Sequence, residues 1–128
     1  MNKYKDYITR MIDEAPWLQA IYNKHISYYD ELLPYIFMQE ELPDKIKEIC
    51  QETFIENKNV EQNKLNIIVL LKIIEDGIHE DCYEVRDLII AFLKEINPRL
   101  EYFDFFREMT GYSTRAILEY LHRNYTIY

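Results

Sequence analysis

Apolar positions recur at helical spacing along almost the whole chain. Tyr4, Tyr7, Ile8, Met11 and Ile12 fall at steps of three and four, with Lys3, Asp6, Arg10 and Asp13 between them. That spacing predicts a first helix over 2–14. Ala15-Pro16 breaks it, because proline disfavours the α region for the residue before it. Pro16 then opens a second helix over 16–27, where its missing N–H costs little, with Trp17, Leu18, Ile21 and Tyr22 inward. The apolar stretch 27–38 is interrupted by Pro34 and reads as a short helix or turn ending near Met38. Pro43 marks the next start, and 44–56 reads as a helix with Ile46, Ile49, Cys50 and Phe54 inward.

After the polar loop at 57–59, the segment 60–76 is apolar almost all round, which predicts a buried helix. Gly77 is placed as its C-terminal stop. Residues 81–96 carry Val85, Leu88, Ile89, Phe92, Leu93 and Ile96 in strict helical register, with Asp81 as N-cap and Glu84 three residues on. Asn97-Pro98 ends that helix. An aromatic helix follows over 99–109, with Leu100, Tyr102, Phe103, Phe105 and Phe106. Gly111 separates it from a last helix over 113–124, capped by Ser113, with Ile117, Leu118 and Leu121 inward. The expectation is an all-α, compact single-domain bundle of six or seven short helices over residues 1–128. No repeat favours a solenoid.

Composition narrows the function classes. The chain has 128 residues, enough for one core without disulfides. Apolar residues make up 48% and charged residues 30%, which is too apolar for a disordered chain. The chain has only two glycines, which excludes Walker A, Gly-x-Gly-x-x-Gly and nucleophile-elbow motifs. Acids outnumber bases 23 to 15, which argues against nucleic acid and anionic membrane as partners. The acidity is concentrated in two blocks. One holds Asp30, Glu31, Glu40, Glu41, Asp44, Glu48, Glu52 and Glu56 against Lys45 and Lys47; the other holds Glu75, Asp76, Glu80, Asp81, Glu84 and Asp87 against Arg86. No apolar run reaches membrane length, and the charged start leads into no signal-peptide core. Cys50 and Cys82 stand far apart, as buried thiols of a reducing, cytoplasmic compartment would.

Four stretches resemble a family of small uncharacterised bacterial all-helical domains, a domain of unknown function. They are Pro16-Trp17-Leu18 with Tyr22 and His25; Asp30 through Met38, containing Glu31-Leu32-Leu33-Pro34-Tyr35; Glu84-Val85-Arg86-Asp87-Leu88-Ile89; and Phe92-Leu93-Lys94-Glu95. The family pattern runs Glu-Leu-Leu-Pro-His to Gly-Asp, and later Val-Arg-x-Leu-Ile to Phe-x-Glu. The resemblance spans roughly 3–96. This chain departs from it with Tyr35 in place of histidine and with Gln39-Glu40 in place of Gly-Asp. A site built on that histidine and aspartate would be altered here. The resemblance implies an all-α fold and no transferable activity.

Three functional expectations follow. The first is a non-catalytic protein-interaction module, most concretely an immunity protein. It would neutralise a bacterial toxin by occluding it with an acidic, tyrosine-bearing face and would need no cofactor. Tyrosine suits such a face because it buries a large ring and keeps a polar tip. The residues are Tyr28, Tyr29, Asp30, Glu31, Glu40, Glu41 and Asp44, then Glu80, Asp81 and Tyr83. The partner would be a basic protein. The second is a metal binder or enzyme around His25, His79 or His122, suggested by the acid-x-x-His pairs Asp76/His79 and Glu119/His122. The third is a structural or regulatory domain that self-associates through the aromatic segment Tyr102 to Phe106.

Overall fold

The first helix, α1 (Lys3–Glu14), is capped by Asn2, whose side chain accepts from the Lys5 N–H at 3.1 Å. It buries Tyr7, Ile8, Met11 and Ile12. A computed structural model describes residues 2–96 and 103–125 of the chain, and all the elements among them are helical. A 3₁₀ turn (Pro16–Leu18) follows α1 and leads into α2 (Gln19–Tyr29). That helix ends at Asp30 in the left-handed conformation, φ 63°, where a short polar side chain is tolerated.

The break expected near Met38 and the fresh start at Pro43 are absent. One continuous helix runs instead from α3 (Pro34–Ile36) through a π-helical turn (Phe37–Glu41) into α4 (Leu42–Phe54). The Leu42 N–H reaches back five residues to the Phe37 carbonyl. Pro43 supplies the reason. A proline inside a helix removes one hydrogen bond and crowds the carbonyl four residues back. One extra residue in the turn widens it and relieves the crowding without ending the helix. Phe37, Met38 and Leu42 are fully buried along this stretch.

Helix α5 (Val60–Ile78) is not buried all round. Asn63, Ile67, Leu70, Leu71, Ile73 and Ile74 face the core, while Leu65, Ile68 and Val69 face solvent at 57%, 39% and 41% exposure. Gly77 does not stop the helix; it lies within its last turn, where neither its φ nor that of any other described glycine is positive. Its role is close approach. A Cβ there would stand 2.7 Å from Ile89 Cδ1 and 2.8 Å from the Tyr7 hydroxyl oxygen. Phe54, expected inside, is 41% exposed and rests against Phe105, with ring centroids 4.9 Å apart. Thr53 takes the inner position and satisfies its hydroxyl on the Ile49 carbonyl at 2.7 Å.

The central helix is α6 (Tyr83–Ile96), which touches α1, α3, the π turn, α4, α5 and α8. Its inner face carries every apolar residue its periodicity predicts, from Val85 to Ile96. Asp81 is not its cap: the helix starts after Cys82, whose carbonyl accepts from the Arg86 N–H, and Asp81 is a solvent-exposed partner of Arg86 at 3.6 Å. Two further helices, α7 (Phe103–Met109) and α8 (Tyr112–Tyr125), close the bundle over α5 and α6. Phe106, Leu118 and Leu121 join the core. The helix end expected at Asn97-Pro98, with Leu100 and Tyr102, lies outside the described residues. No described helix is long and apolar enough to cross a membrane.

Candidate functional site

The first acidic block meets α2 in an open groove of about 360 Å³. The α2 wall presents Ile21, Lys24, His25, Tyr28 and Tyr29; the α4 wall presents Glu41, Asp44, Lys45 and Glu48. Both sets follow helical spacing. Positions 21, 24 and 28 share one face of α2, and 41, 44 and 48 share one face of the π turn and α4.

His25 organises the floor. It is only 2% exposed, and both ring nitrogens are engaged: the Leu33 N–H donates to Nε2 at 2.9 Å, and Nδ1 stands 2.7 Å from Glu41 Oε1. An Nε2 that accepts cannot carry the proton, so the neutral ring carries it on Nδ1 and donates to the Glu41 carboxylate. His25 thereby ties three segments together: α2, the loop before Pro34, and the π turn. Glu41 makes this contact from the last position of the π turn.

Aromatic rings connect the floor to the surface. Phe37 stands edge-on to His25 with centroids 5.8 Å apart, His25 is tilted against Tyr29 at 4.8 Å, and Tyr29 stands edge-on to Tyr28 at 4.7 Å. Tyr28, the outermost ring, is 80% exposed. Desolvation, then the Glu41 and Glu40 carboxylates, push the Tyr29 hydroxyl above its ordinary value.

The structure thus brings together Tyr28, Tyr29, Glu41 and Asp44 from the expected face. Asp30, Glu31 and Glu40 lie exposed beside them in the chain, Asp30 serving also as the end of α2. Glu80, Asp81 and Tyr83 do not line this groove. Glu80 is held by Arg10 of α1 at 2.8 Å and lines a second groove of about 540 Å³ with Asp6, Arg10, Asp13 and Cys82. Tyr83 is 70% exposed at the start of α6. Sequence reasoning misses Ile21, Lys24, Lys45 and Glu48 as groove residues. Helical stepping from Tyr28 and Glu41 is the signal that finds them.

A second polar cluster joins His79 and Ser113, each expected in another role, to Glu75. Glu75 of α5 reaches the N-terminus of α8. Its Oε1 accepts from the Thr114 N–H and hydroxyl, both at 2.8 Å, and its Oε2 from the Ser113 N–H at 3.2 Å. Burial opposes ionisation of Glu75, but these bonds and His79 outweigh it and hold the carboxyl at about 2. Gly111 makes room, since a Cβ there would meet Glu75 Cγ and Cδ at 2.5 Å. Ser113 is therefore a first-turn residue whose N–H is capped, and the cap itself is a carboxylate from another helix.

Glu75, His79 and Ser113 have the membership of a catalytic triad without its geometry. A triad needs the acid on one imidazole nitrogen and the hydroxyl on the other. Here Glu75 Oε2 at 2.9 Å and Ser113 Oγ at 3.1 Å both face His79 Nε2. No proton relay runs from acid to hydroxyl through the ring, and the cluster reads as a helix cap. The Asp76/His79 spacing does not converge, because His79 turns to Glu75; Glu119 faces Arg107 at 3.7 Å. Among the described residues, no group of three or more His, Cys, Asp and Glu side chains is placed to hold a metal ion. Cys50 is fully buried and Cys82 partly so.

Compared with family models, with curated proteins and with solved structures, the chain gives no match.

Proposed function

We propose that the protein is a non-catalytic protein-interaction module of the cytoplasm that docks a basic protein on its α2–α4 face. An immunity protein against a bacterial toxin is its most concrete form. One observation carries this reading: the groove gathers an exposed tyrosine, a second ring behind it, and carboxylates from an acidic helix face into one concave surface. Exposed aromatic residues beside charge of one sign suit recognition of a complementary partner. Complementary charge would also speed the encounter, as neutralising a toxin before it acts requires.

The test is a pull-down from the source cell with wild-type protein and with a variant carrying Glu40→Lys, Glu41→Lys and Asp44→Lys. A stoichiometric basic partner, retained by wild type, released by moderate salt and lost by the variant, supports the face. Equal recovery by both proteins would show that this face is not the docking surface.

A further inference from the structure

Resting on that reading of the face, we infer that the α2–α4 groove is a receptor for one guanidinium group, the side chain of an arginine in a basic segment of the partner.

The groove has the scale of a side chain. At about 360 Å³ it lies near the low end of the ~300–1,000 Å³ typical of small-ligand sites. Its two walls offer what a flat cation uses. On one side stands Tyr28, 80% exposed yet backed by the ring series through Tyr29 and His25 to the buried Phe37. A cation over an aromatic face is attracted by the ring quadrupole. On the other side stands Glu41, whose side chain is 28% exposed while one oxygen is fixed by the buried His25. Because the Leu33 N–H occupies Nε2, the histidine proton can only point at Glu41, so the carboxylate is oriented before any ligand arrives. His25 is a positioning residue in this arrangement.

The choice of arginine over lysine follows from shape. A guanidinium stacks on a ring through its plane and meets a carboxylate through two parallel N–H donors, whereas an ammonium is a compact, strongly hydrated point charge. Ile21, also in the α2 wall, suits the apolar stem that leads to the head group. Charge agrees. In the groove lining Glu41, Asp44 and Glu48 outnumber Lys24 and Lys45, Lys45 is itself paired with Glu48 at 3.3 Å, and the Glu40 charge reaches Tyr29.

The test is a titration of isotope-labelled full-length protein with the blocked tripeptide Gly-Arg-Gly, followed by amide resonances. The same tripeptide with lysine or with citrulline, the neutral isostere of arginine, provides the comparison. Saturable shifts at Ile21, Tyr28, Glu41 and Asp44 are expected with arginine, about tenfold weaker binding with lysine, and none with citrulline. Tyr28→Ala and Glu41→Gln should each weaken the arginine peptide about tenfold, while Tyr28→Phe retains binding. Glutamine keeps an acceptor for His25, so Glu41→Gln removes the charge without removing the floor.

Three results would overturn the inference. If arginine and lysine peptides shift the groove equally and Tyr28→Ala changes nothing, the guanidinium receptor is wrong while the acidic docking face stands. If the shifts spread over the acidic blocks without saturating at the groove, the receptor is again wrong and the face stands. If no cationic peptide perturbs this face at all, the receptor and the docking face fall together.

Discussion

Replacing Glu75 by glutamine should remove most of the acid sensitivity that α8 contributes to the fold. Glu75 titrates at about 2 against an ordinary value of 4.5. A gap of that size corresponds to about 3 kcal/mol of stability in full. Solvent reaches the cluster, since the Glu75 side chain is 17% exposed, and screening reduces the working figure to about 2 kcal/mol. The sign follows from the direction of the shift. A carboxyl lowered by folding contributes its stability above the unfolded value and loses it as pH falls from about 4.5 towards about 2. Urea denaturation followed by circular dichroism, at pH 7 and pH 3, reads the effect. Wild type should lose about 1–2 kcal/mol more than Glu75→Gln between the two pH values. Gly111→Ala should cost a similar amount at pH 7, because its Cβ would displace the Glu75 side chain. The double variant should then fall well short of additive. Equal pH dependence in wild type and Glu75→Gln would refute the cap. Additive losses at Gly111 and Glu75 would refute the reason given for the glycine.

Three other expectations are simpler. Gly77→Ala should destabilise the protein by about 1–3 kcal/mol, because overcrowding against Ile89 and Tyr7 outweighs the better helix propensity of alanine; a thermal midpoint at or above wild type would contradict this. His25→Ala should cost about 2–4 kcal/mol in urea denaturation, since it leaves the Leu33 N–H without its acceptor and opens the floor of the groove; a loss under about 0.5 kcal/mol would remove the histidine clamp. On α5, Leu70→Ala should cost about 2–5 kcal/mol and Leu65→Gln about 0.5 kcal/mol or less, and comparable losses would mean that the outer face is covered.

Much of this protein is legible in its sequence. Periodicity locates α1, α2, α5, α6 and α8 to within a few residues, because an amphipathic helix writes its own buried stripe into the chain, as Val85 to Ile96 does. Composition removes the glycine-dependent phosphate sites, since two glycines cannot build them. The acidic and tyrosine-rich blocks are visible as blocks, but not as one surface or two.

What tertiary structure decides are the meetings between elements. Pro43 reads as a helix start because local rules place proline there. The π turn that absorbs it is held by the burial of Phe37, Met38 and Leu42, which no local rule contains. Gly77 reads as a helix stop and Gly111 as a break between helices, yet each is small because a side chain from another helix occupies the space. The outer face of α5 reads as buried because hydrophobicity alone does not say which neighbours exist. His25 pairs with a residue 16 positions away and Glu75 with residues 38 and 39 away. Such contacts arise when helices pack, and helical periodicity carries no information about which face of one helix meets which face of another. The chain by itself therefore determined which segments are helical and which charges they carry. Packing alone brought Tyr28 and Glu41 to opposite walls of one groove and aimed a buried histidine at the Glu41 carboxylate.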